Sequence, residues 1–176
     1  MYSRRRFLTT SVLGGLTVGA LALARHGSGS LLGSLGLVPQ AQAEEAFAVT
    51  HSAEEWQRLL GPEQYKVLRE ADTERPYSSP LNDEHRTGTF SCGGCQLGLF
   101  SSETKFDSHT GWPSFWAPLD KAVAVRDDRS FGVLRQEVHC SRCGGHLGHV
   151  FDDGPRPTGL RYCMNGLAMS FAPIAS

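Results

Sequence analysis

The five cysteines of this chain fall into two close pairs and one single residue. A spacing of two residues within a pair forms a tight turn that aims both sulfurs at one ion, about 2.3 Å away. Four thiolates fill a tetrahedral zinc site, so the sequence predicts one structural Zn²⁺ that clamps distant parts of the fold. Two disulfides or an iron centre are the alternatives. The predicted ligands are Cys92, Cys95, Cys140 and Cys143, and the single residue is Cys163.

The N-terminus has the pattern of an export signal. Consecutive arginines at positions 4–6 precede an apolar stretch at 11–24, which is shorter than the roughly 17 to 25 residues that span a bilayer. We expect residues 1–43 to be a twin-arginine signal peptide that is cleaved at its end, and residues 44–176 to form one exported, periplasmic domain. Cleavage after Ala24 and an uncleaved membrane anchor are the alternatives.

The charge of the expected mature chain is mildly acidic. Removing residues 1–43 leaves 13 basic against 18 acidic residues, a formal charge of −5. Such a surface argues against a nucleic-acid partner. We also expect no membrane association after cleavage, and a monomer.

Secondary-structure signals divide the mature chain into a short helical part and a longer β part. Ser52 and Glu55 form a capping box for a first helix that ends at residues 61–62, and a second helix is predicted over 63–69. Residues 73–85 read as a polar, irregular loop. Short runs of β-branched and aromatic residues follow and predict an antiparallel β region. The predicted strands are residues 87–91, 97–100, 123–126, 133–139, 150–152, 161–165 and 168–173.

Cys163 is the cysteine left for chemistry. Alternation along a strand places Arg161, Cys163 and Asn165 on one face. A thiol with an ordinary pKa near 8.5 needs a neighbouring cation or proton donor to act as a nucleophile. His146 and His149 follow the last paired cysteine and are candidates for that role. A buried, inert cysteine is one alternative, and histidines that flank the metal or lie in an exposed turn are another.

Residues 110–116, Thr-Gly-Trp-Pro-Ser-Phe-Trp, form an aromatic segment that Gly and Pro make rigid. A core position is natural for Phe115 and Trp116. Trp112 suits the wall of an apolar substrate pocket as well as it suits plain packing.

Several motifs in this order resemble those of the type B methionine sulfoxide reductases. They lie at residues 88–95, 99–100, 105–108, 111–115, 146–151 and 161–165. The likeness extends from Trp56 to Phe171. It implies a mainly β, tent-like fold of two antiparallel sheets with short N-terminal helices and a four-cysteine zinc knot. It also implies reduction of the R epimer of methionine sulfoxide in oxidised proteins.

The resemblance further implies a role for each site residue. The nucleophile is Cys163, which is left as a sulfenic acid once the substrate is reduced. His149 is the expected proton donor to the sulfoxide oxygen, as an imidazolium, with His146 orienting it or a bound water. The other implied contacts with the sulfoxide or its substituents come from Arg161, Asn165, Trp112, Phe115 and Val150.

One position departs from a common pattern of that family. Many relatives carry a resolving cysteine immediately before the Gly-Trp-Pro-Ser-Phe run, where this chain has Thr110. With four cysteines assigned to the metal, no second thiol remains to form a disulfide with Cys163. We therefore expect an external thiol, from a thioredoxin-like donor, to reduce the sulfenic acid directly. A zinc-stabilised binding module and a redox sensor or zinc-dependent chaperone are the alternatives from other functional classes.

Overall fold

The computed structural model of this protein describes residues 46–174. The export signal predicted at residues 1–43 lies outside the described residues and stays a prediction. Within the described part, no helix has the length and apolar character needed to cross a membrane.

Two short helices open the described chain, as predicted. They are α1 (Ala53–Leu59) and α2 (Pro62–Glu70). The side chain of Ser52 accepts a hydrogen bond from the Glu55 backbone N–H at 3.2 Å, and the Glu55 carboxylate accepts one from the Ser52 N–H at 2.9 Å. The predicted capping box is therefore confirmed. After α2 the chain runs as the predicted irregular loop, broken by a 3₁₀ turn at Pro80–Asp83.

The strands of the described region form two antiparallel sheets. They are β1 (Gly88–Cys92), β2 (Gly98–Ser101), β3 (Lys105–Phe106), β4 (Ser114–Phe115), β5 (Val123–Asp128), β6 (Arg135–Cys140), β7 (His146–Phe151), β8 (Arg161–Met164) and β9 (Met169–Pro173). The smaller sheet has the order β2-β1-β9, and the larger has the order β3-β4-β8-β7-β6-β5. The predicted mainly β fold with two antiparallel sheets is confirmed.

An aromatic cluster joins the two sheets. Phe90 of β1 and Phe100 of β2 belong to the smaller sheet, and Phe115 of β4 belongs to the larger; all three are fully buried. The rings of Phe100 and Phe115 stack with centroids 4.4 Å apart, and Phe90 meets Phe115 edge-on at 4.9 Å. Aromatic side chains bury a large apolar area, so the core lies between the sheets and holds them together.

The beginning of β7 differs from the prediction. The strand starts at His146, well before the predicted start at residue 150. Its pairing with β6 shifts register: Val138 pairs with Gly148, while the next residue, His139, pairs with His146. Leu147 is the extra residue of a β-bulge. The bulge interrupts the regular alternation of side chains by which strands are predicted from sequence. Strands β3 and β4 were also not predicted, because two residues are too few to show alternation.

Candidate active site and metal centre

Cys163 lies in a row of residues that crosses the larger sheet. It pairs with Ser114 of β4 on one side and with His149 of β7 on the other. His149 pairs in turn with Glu137 of β6, and Glu137 pairs with Arg126 of β5. Directly paired residues share one face of an antiparallel sheet, with Cβ atoms about 4.5–5.5 Å apart. The strand register thus gathers a thiol, an imidazole and two opposite charges on one face.

A small cavity opens at Cys163. Its volume is about 130 Å³, which is room for a group the size of about four water molecules. The cavity therefore admits the end of one side chain rather than a folded segment. The residues that line it are Thr73, Trp112, Arg135, Gly148, His149, Phe151, Cys163 and Asn165.

A fixed cation stands beside the thiol. The Arg161 guanidinium makes two hydrogen bonds to the Asp153 carboxylate, at 2.8 and 2.7 Å, and lies 4.4 Å from the centroid of the Phe151 ring. The hydrogen bond to Asp153 raises the pKa of Arg161, and Cys163 acts more weakly in the same direction. Arg161 is therefore a positive charge held close to Cys163 by its bonds to Asp153.

His149 is held by a carboxylate of β5. Its Nε2 lies 2.8 Å from Asp128 Oδ2, and the same oxygen accepts a hydrogen bond from Arg135 at 2.7 Å. Hydrogen bonds from Ser130 and His149 lower the pKa of Asp128. Burial lowers the pKa of His149, and the Asp128 hydrogen bond opposes this only in part. His149 is therefore neutral near pH 7; its Nε2–H donates to Asp128 and its Nδ1 carries a lone pair.

His146 has a matching partner in Glu137. Its Nδ1 lies 2.8 Å from Glu137 Oε1, and Arg126 donates two hydrogen bonds to the same carboxylate. Burial raises the pKa of Glu137, but the hydrogen bonds from His146 and Arg126 outweigh it and lower the pKa to about 2. His146 is 4% exposed, and its ring meets that of His149 edge-on, with centroids 5.5 Å apart. His146 thus supports His149 from the interior rather than lining the cavity.

The bulge in β7 brings the two histidines together. Residues three apart on a regular strand face opposite sides of the sheet. The extra residue, Leu147, restores His146 and His149 to one face. Gly148 also permits β7 to approach β8, because a Cβ at this position would collide with the carbonyl oxygen of Cys163.

Trp112 and Asn165 complete the cavity, and both are held by hydrogen bonds. The indole Nε1–H of Trp112 donates to the Glu74 carbonyl oxygen at 3.1 Å. The Asn165 Oδ1 accepts from the Glu74 N–H at 3.0 Å, and its Nδ2 donates to the Leu147 carbonyl at 3.1 Å. The structure thus brings Cys163 together with Trp112, His149 and Asn165, while Arg161 lies at the edge.

Two residues predicted to contact the substrate lie elsewhere. Phe115 is fully buried in the aromatic core, and Val150 packs against the same core. Both pair with Tyr162 on the face opposite to Cys163, because successive side chains of a strand alternate between faces. The structure corrects the prediction: these two residues support the site from the core and do not line the cavity.

The four paired cysteines form a compact cluster, and their sulfurs all lie within 4.8 Å of one another. Cys92 Sγ is 3.7 Å from Cys143 Sγ, and Cys95 Sγ is 3.5 Å from Cys140 Sγ. A tetrahedral ion with Zn–S distances of about 2.3 Å separates its sulfurs by about 3.8 Å. The cluster therefore fits a structural metal ion that joins the end of β1 in the smaller sheet to the end of β6 in the larger. Arg142 donates a hydrogen bond to the Cys95 sulfur at 3.4 Å.

Comparison with known proteins identifies the family. The sequence model of the SelR domain family matches residues 60–173 of this chain. The chain belongs to the SelR domain family. Three similar curated proteins are each named peptide methionine sulfoxide reductase MsrB. The protein of Pseudomonas putida strain W619 is 52% identical over 126 residues, which cover 71% of this chain and 95% of that protein. The protein of Methanosarcina barkeri is 52% identical over 125 residues, 70% of this chain and 88% of that protein. The protein of Leptospira interrogans is 49% identical over 126 residues, 71% and 96%.

In this SelR domain, several residues that were not predicted from the sequence support the site. Asp128 and Glu137 orient the histidines, Arg135 binds Asp128, and Glu74 holds Trp112 and Asn165. Charged residues that alternate along β5 and β6 resemble an ordinary solvated sheet face. This alternation was the one sign of these residues in the sequence. The pairing of β5, β6 and β7 was needed to show that their side chains lie beside the histidines.

Proposed function

We propose that this protein reduces the R epimer of methionine sulfoxide in proteins, with Cys163 as its nucleophile. Family membership supports the activity, and one observation supports the nucleophile. Cys163 is the cysteine outside the metal cluster, and it lines a cavity of side-chain size directly beside His149. The curated relatives that match the chain carry the corresponding name.

In the proposed reaction the Cys163 thiolate attacks the sulfoxide sulfur, and the sulfoxide oxygen passes to the cysteine. Cys163 is oxidised by two electrons to a sulfenic acid, and the sulfoxide is reduced by two electrons to the thioether. The proton lost from the thiol ends on the sulfenic oxygen, so atoms and charges balance. Trp112 forms the apolar wall against the substrate methyl group, and Arg161 places a positive charge beside Cys163.

His149 carries the proton from the Cys163 sulfur to the sulfoxide oxygen. Its neutral ring donates Nε2–H to Asp128, so Nδ1 is free to accept the thiol proton and deliver it to the sulfoxide oxygen. This role differs from the predicted one, in which His149 begins as a charged donor. Asp128 keeps the ring in the required tautomer, and His146, itself bound to Glu137, packs against it.

An external thiol donor restores Cys163. The sulfenic acid reacts with one thiol to form a mixed disulfide and water, and a second thiol releases Cys163 and leaves the donor as a disulfide. Thr110 lies where a resolving cysteine would be needed, with Oγ1 at 3.7 Å from Cys163 Sγ. A thioredoxin-like dithiol is therefore the donor.

The four-cysteine cluster holds Zn²⁺. Sulfur separations of 3.5 and 3.7 Å match tetrahedral thiolate ligation, and four protein ligands leave no position for substrate. The ion has a structural role, which is to tie the two sheets together at their ends.

The protein acts after export through the twin-arginine route, as a monomer in the periplasm. The support is in the sequence, where the arginines at 4–6 stand directly before the apolar stretch at 11–24. Export of a folded protein allows zinc to be loaded before the thiols meet an oxidising compartment. Replacing Arg4 and Arg5 with lysine would leave precursor in the cytoplasm, and unimpaired export of that variant would refute the route.

An epimer-resolved assay tests the proposed activity. Peptides with R or S methionine sulfoxide are incubated with the protein and dithiothreitol, and methionine is quantified. The R peptide is reduced and the S peptide is not; Cys163→Ser abolishes the reaction while retaining bound metal and the wild-type melting temperature. Equal reduction of both epimers, or activity in Cys163→Ser, would contradict the proposal.

A further inference from the structure

Glu74 is a buried acidic residue in the loop between α2 and β1. It is 7% exposed, and the described partners of its carboxylate are backbone groups rather than a basic side chain. Oε1 accepts the Gly166 N–H at 2.6 Å, and Oε2 accepts the Leu167 N–H at 2.9 Å. Both amides belong to the 3₁₀ turn at Gly166–Ala168, which is separated by one residue from the end of β8, the strand that carries Cys163. The carboxylate therefore ties the loop to the chain just beyond the nucleophile.

The backbone of the same residue binds two walls of the cavity. Its carbonyl oxygen accepts the indole N–H of Trp112, and its N–H donates to Asn165 Oδ1. The preceding residue, Thr73, lines the cavity as well. Four hydrogen bonds of one residue thus connect the loop, the aromatic segment and the end of β8.

The two sets of bonds have different consequences. The carboxylate bonds fix where the loop lies, and the backbone bonds transmit that position to Trp112 and Asn165. Among the residues that the structure describes, Glu74 is the hydrogen-bond partner of the Trp112 side chain. Small displacements of groups that orient a substrate can lower kcat/KM strongly.

We infer that Glu74 is a positioning residue, which holds Trp112 and Asn165 in the geometry that binds the sulfoxide. The inference rests on the proposed function for its kinetic consequence. Glu74 does not touch the reacting atoms, and its effect is exerted through the two residues it holds.

The variant that tests this inference is Glu74→Gln. The amide keeps the shape of the side chain, but its NH₂ group faces a backbone N–H where a carboxylate oxygen accepted one. We expect kcat/KM for a methionine-R-sulfoxide peptide to fall by roughly 10- to 100-fold, mainly through a higher KM, because the proton-transfer groups are untouched. The matched control is Glu70→Gln, the same chemical change at an exposed position of α2, and it leaves kcat/KM within about twofold.

Fluorescence supplies a readout that does not depend on the activity. Glu74→Gln should alter the tryptophan emission, and the alteration should vanish in a Trp112→Phe background, where Trp56 and Trp116 remain. If Glu74→Gln does not fold, Glu74→Asp takes its place, since it keeps the charge and shortens the side chain by one methylene.

The outcomes separate the two proposals. A lower melting temperature of Glu74→Gln, with unchanged KM and unchanged Trp112 emission, would overturn the positioning role. Glu74 would then contribute to the stability of the fold alone. A wild-type protein that reduces no sulfoxide would refute the proposed function, and the emission of Trp112 would still decide whether Glu74 positions it.

Discussion

Thr110→Cys should convert the external reset of Cys163 into an internal one. Thr110 Oγ1 lies 3.7 Å from Cys163 Sγ, so a sulfur at position 110 would begin close to the nucleophile. A disulfide requires Cβ atoms about 3.5–4.5 Å apart, a small adjustment for a residue that lies in the loop between β3 and β4. After one equivalent of sulfoxide, the sulfenic acid at Cys163 would condense with the new thiol and release water.

The expected gain in stability follows from the size of the closed loop. The two positions are 53 residues apart, and cross-linking a loop of that length removes about 14 cal/mol/K of chain entropy from the unfolded state. At 25 °C this is about 4 kcal/mol, an upper value because any strain in the folded state subtracts from it. The reduced variant gains nothing from this term.

The assay compares the variant before and after one turnover. Mass spectrometry should show a loss of two hydrogens instead of a dimedone adduct, and urea unfolding of the oxidised form should give a higher free energy than that of the reduced form. Thr110→Ser retains a hydroxyl and serves as the matched control, while the Thr110→Cys, Cys163→Ser double variant can form no such bond. Dimedone trapping at the wild-type yield in Thr110→Cys would refute the reasoning from proximity.

Three further predictions follow from the site, the core and the cluster. The acid limb of the kcat/KM profile should lie below pH 6.5, because burial lowers the pKa of His149 and the neutral ring is the reactive form. The variant Asp128→Asn should move this limb to still lower pH, since Asp128 raises the pKa of His149. The same variant should slow the reaction at least about tenfold. Activity that rises as the pH falls through this range would instead identify the protonated ring as the reactive form. Phe115→Ala should cost about 3–5 kcal/mol of unfolding free energy in urea, whereas Trp112→Ala should mainly raise KM. If Phe115→Ala instead raised KM and Trp112→Ala instead lowered the stability, Phe115 would belong to the substrate site. Zinc analysis should find one ion per chain, and either chelation or Cys95→Ser should lower the melting temperature sharply, because metal binding contributes directly to folding; an unchanged melting temperature after complete metal removal would contradict the structural role.

The metal cluster was predictable from sequence because each half of it is a local motif. Two residues between cysteines define a turn whatever fold surrounds it, and the structure brings both turns together at the ends of β1 and β6. The first helix was predictable for a similar reason, since Ser52 and Glu55 satisfy each other within one turn.

The parts that escaped prediction depend on register and on long-range contact. Nothing within β7 marks Leu147 as a bulge, yet that residue puts both histidines on one face. Asp128 and Glu137 reach the histidines only because β5, β6 and β7 pair in one particular alignment. Phe115 was assigned to the substrate by resemblance, although its pairing with Tyr162 directs it to the core.

The most direct test of the central claim is a single turnover without any thiol donor. Wild-type protein is mixed with one equivalent of methionine-R-sulfoxide peptide and dimedone, and the modified cysteine is located by mass spectrometry. The account predicts one dimedone adduct at Cys163 for each methionine formed, with the four cysteines of the cluster unmodified. An adduct at a cluster cysteine, or a disulfide between Cys163 and one of them, would contradict it.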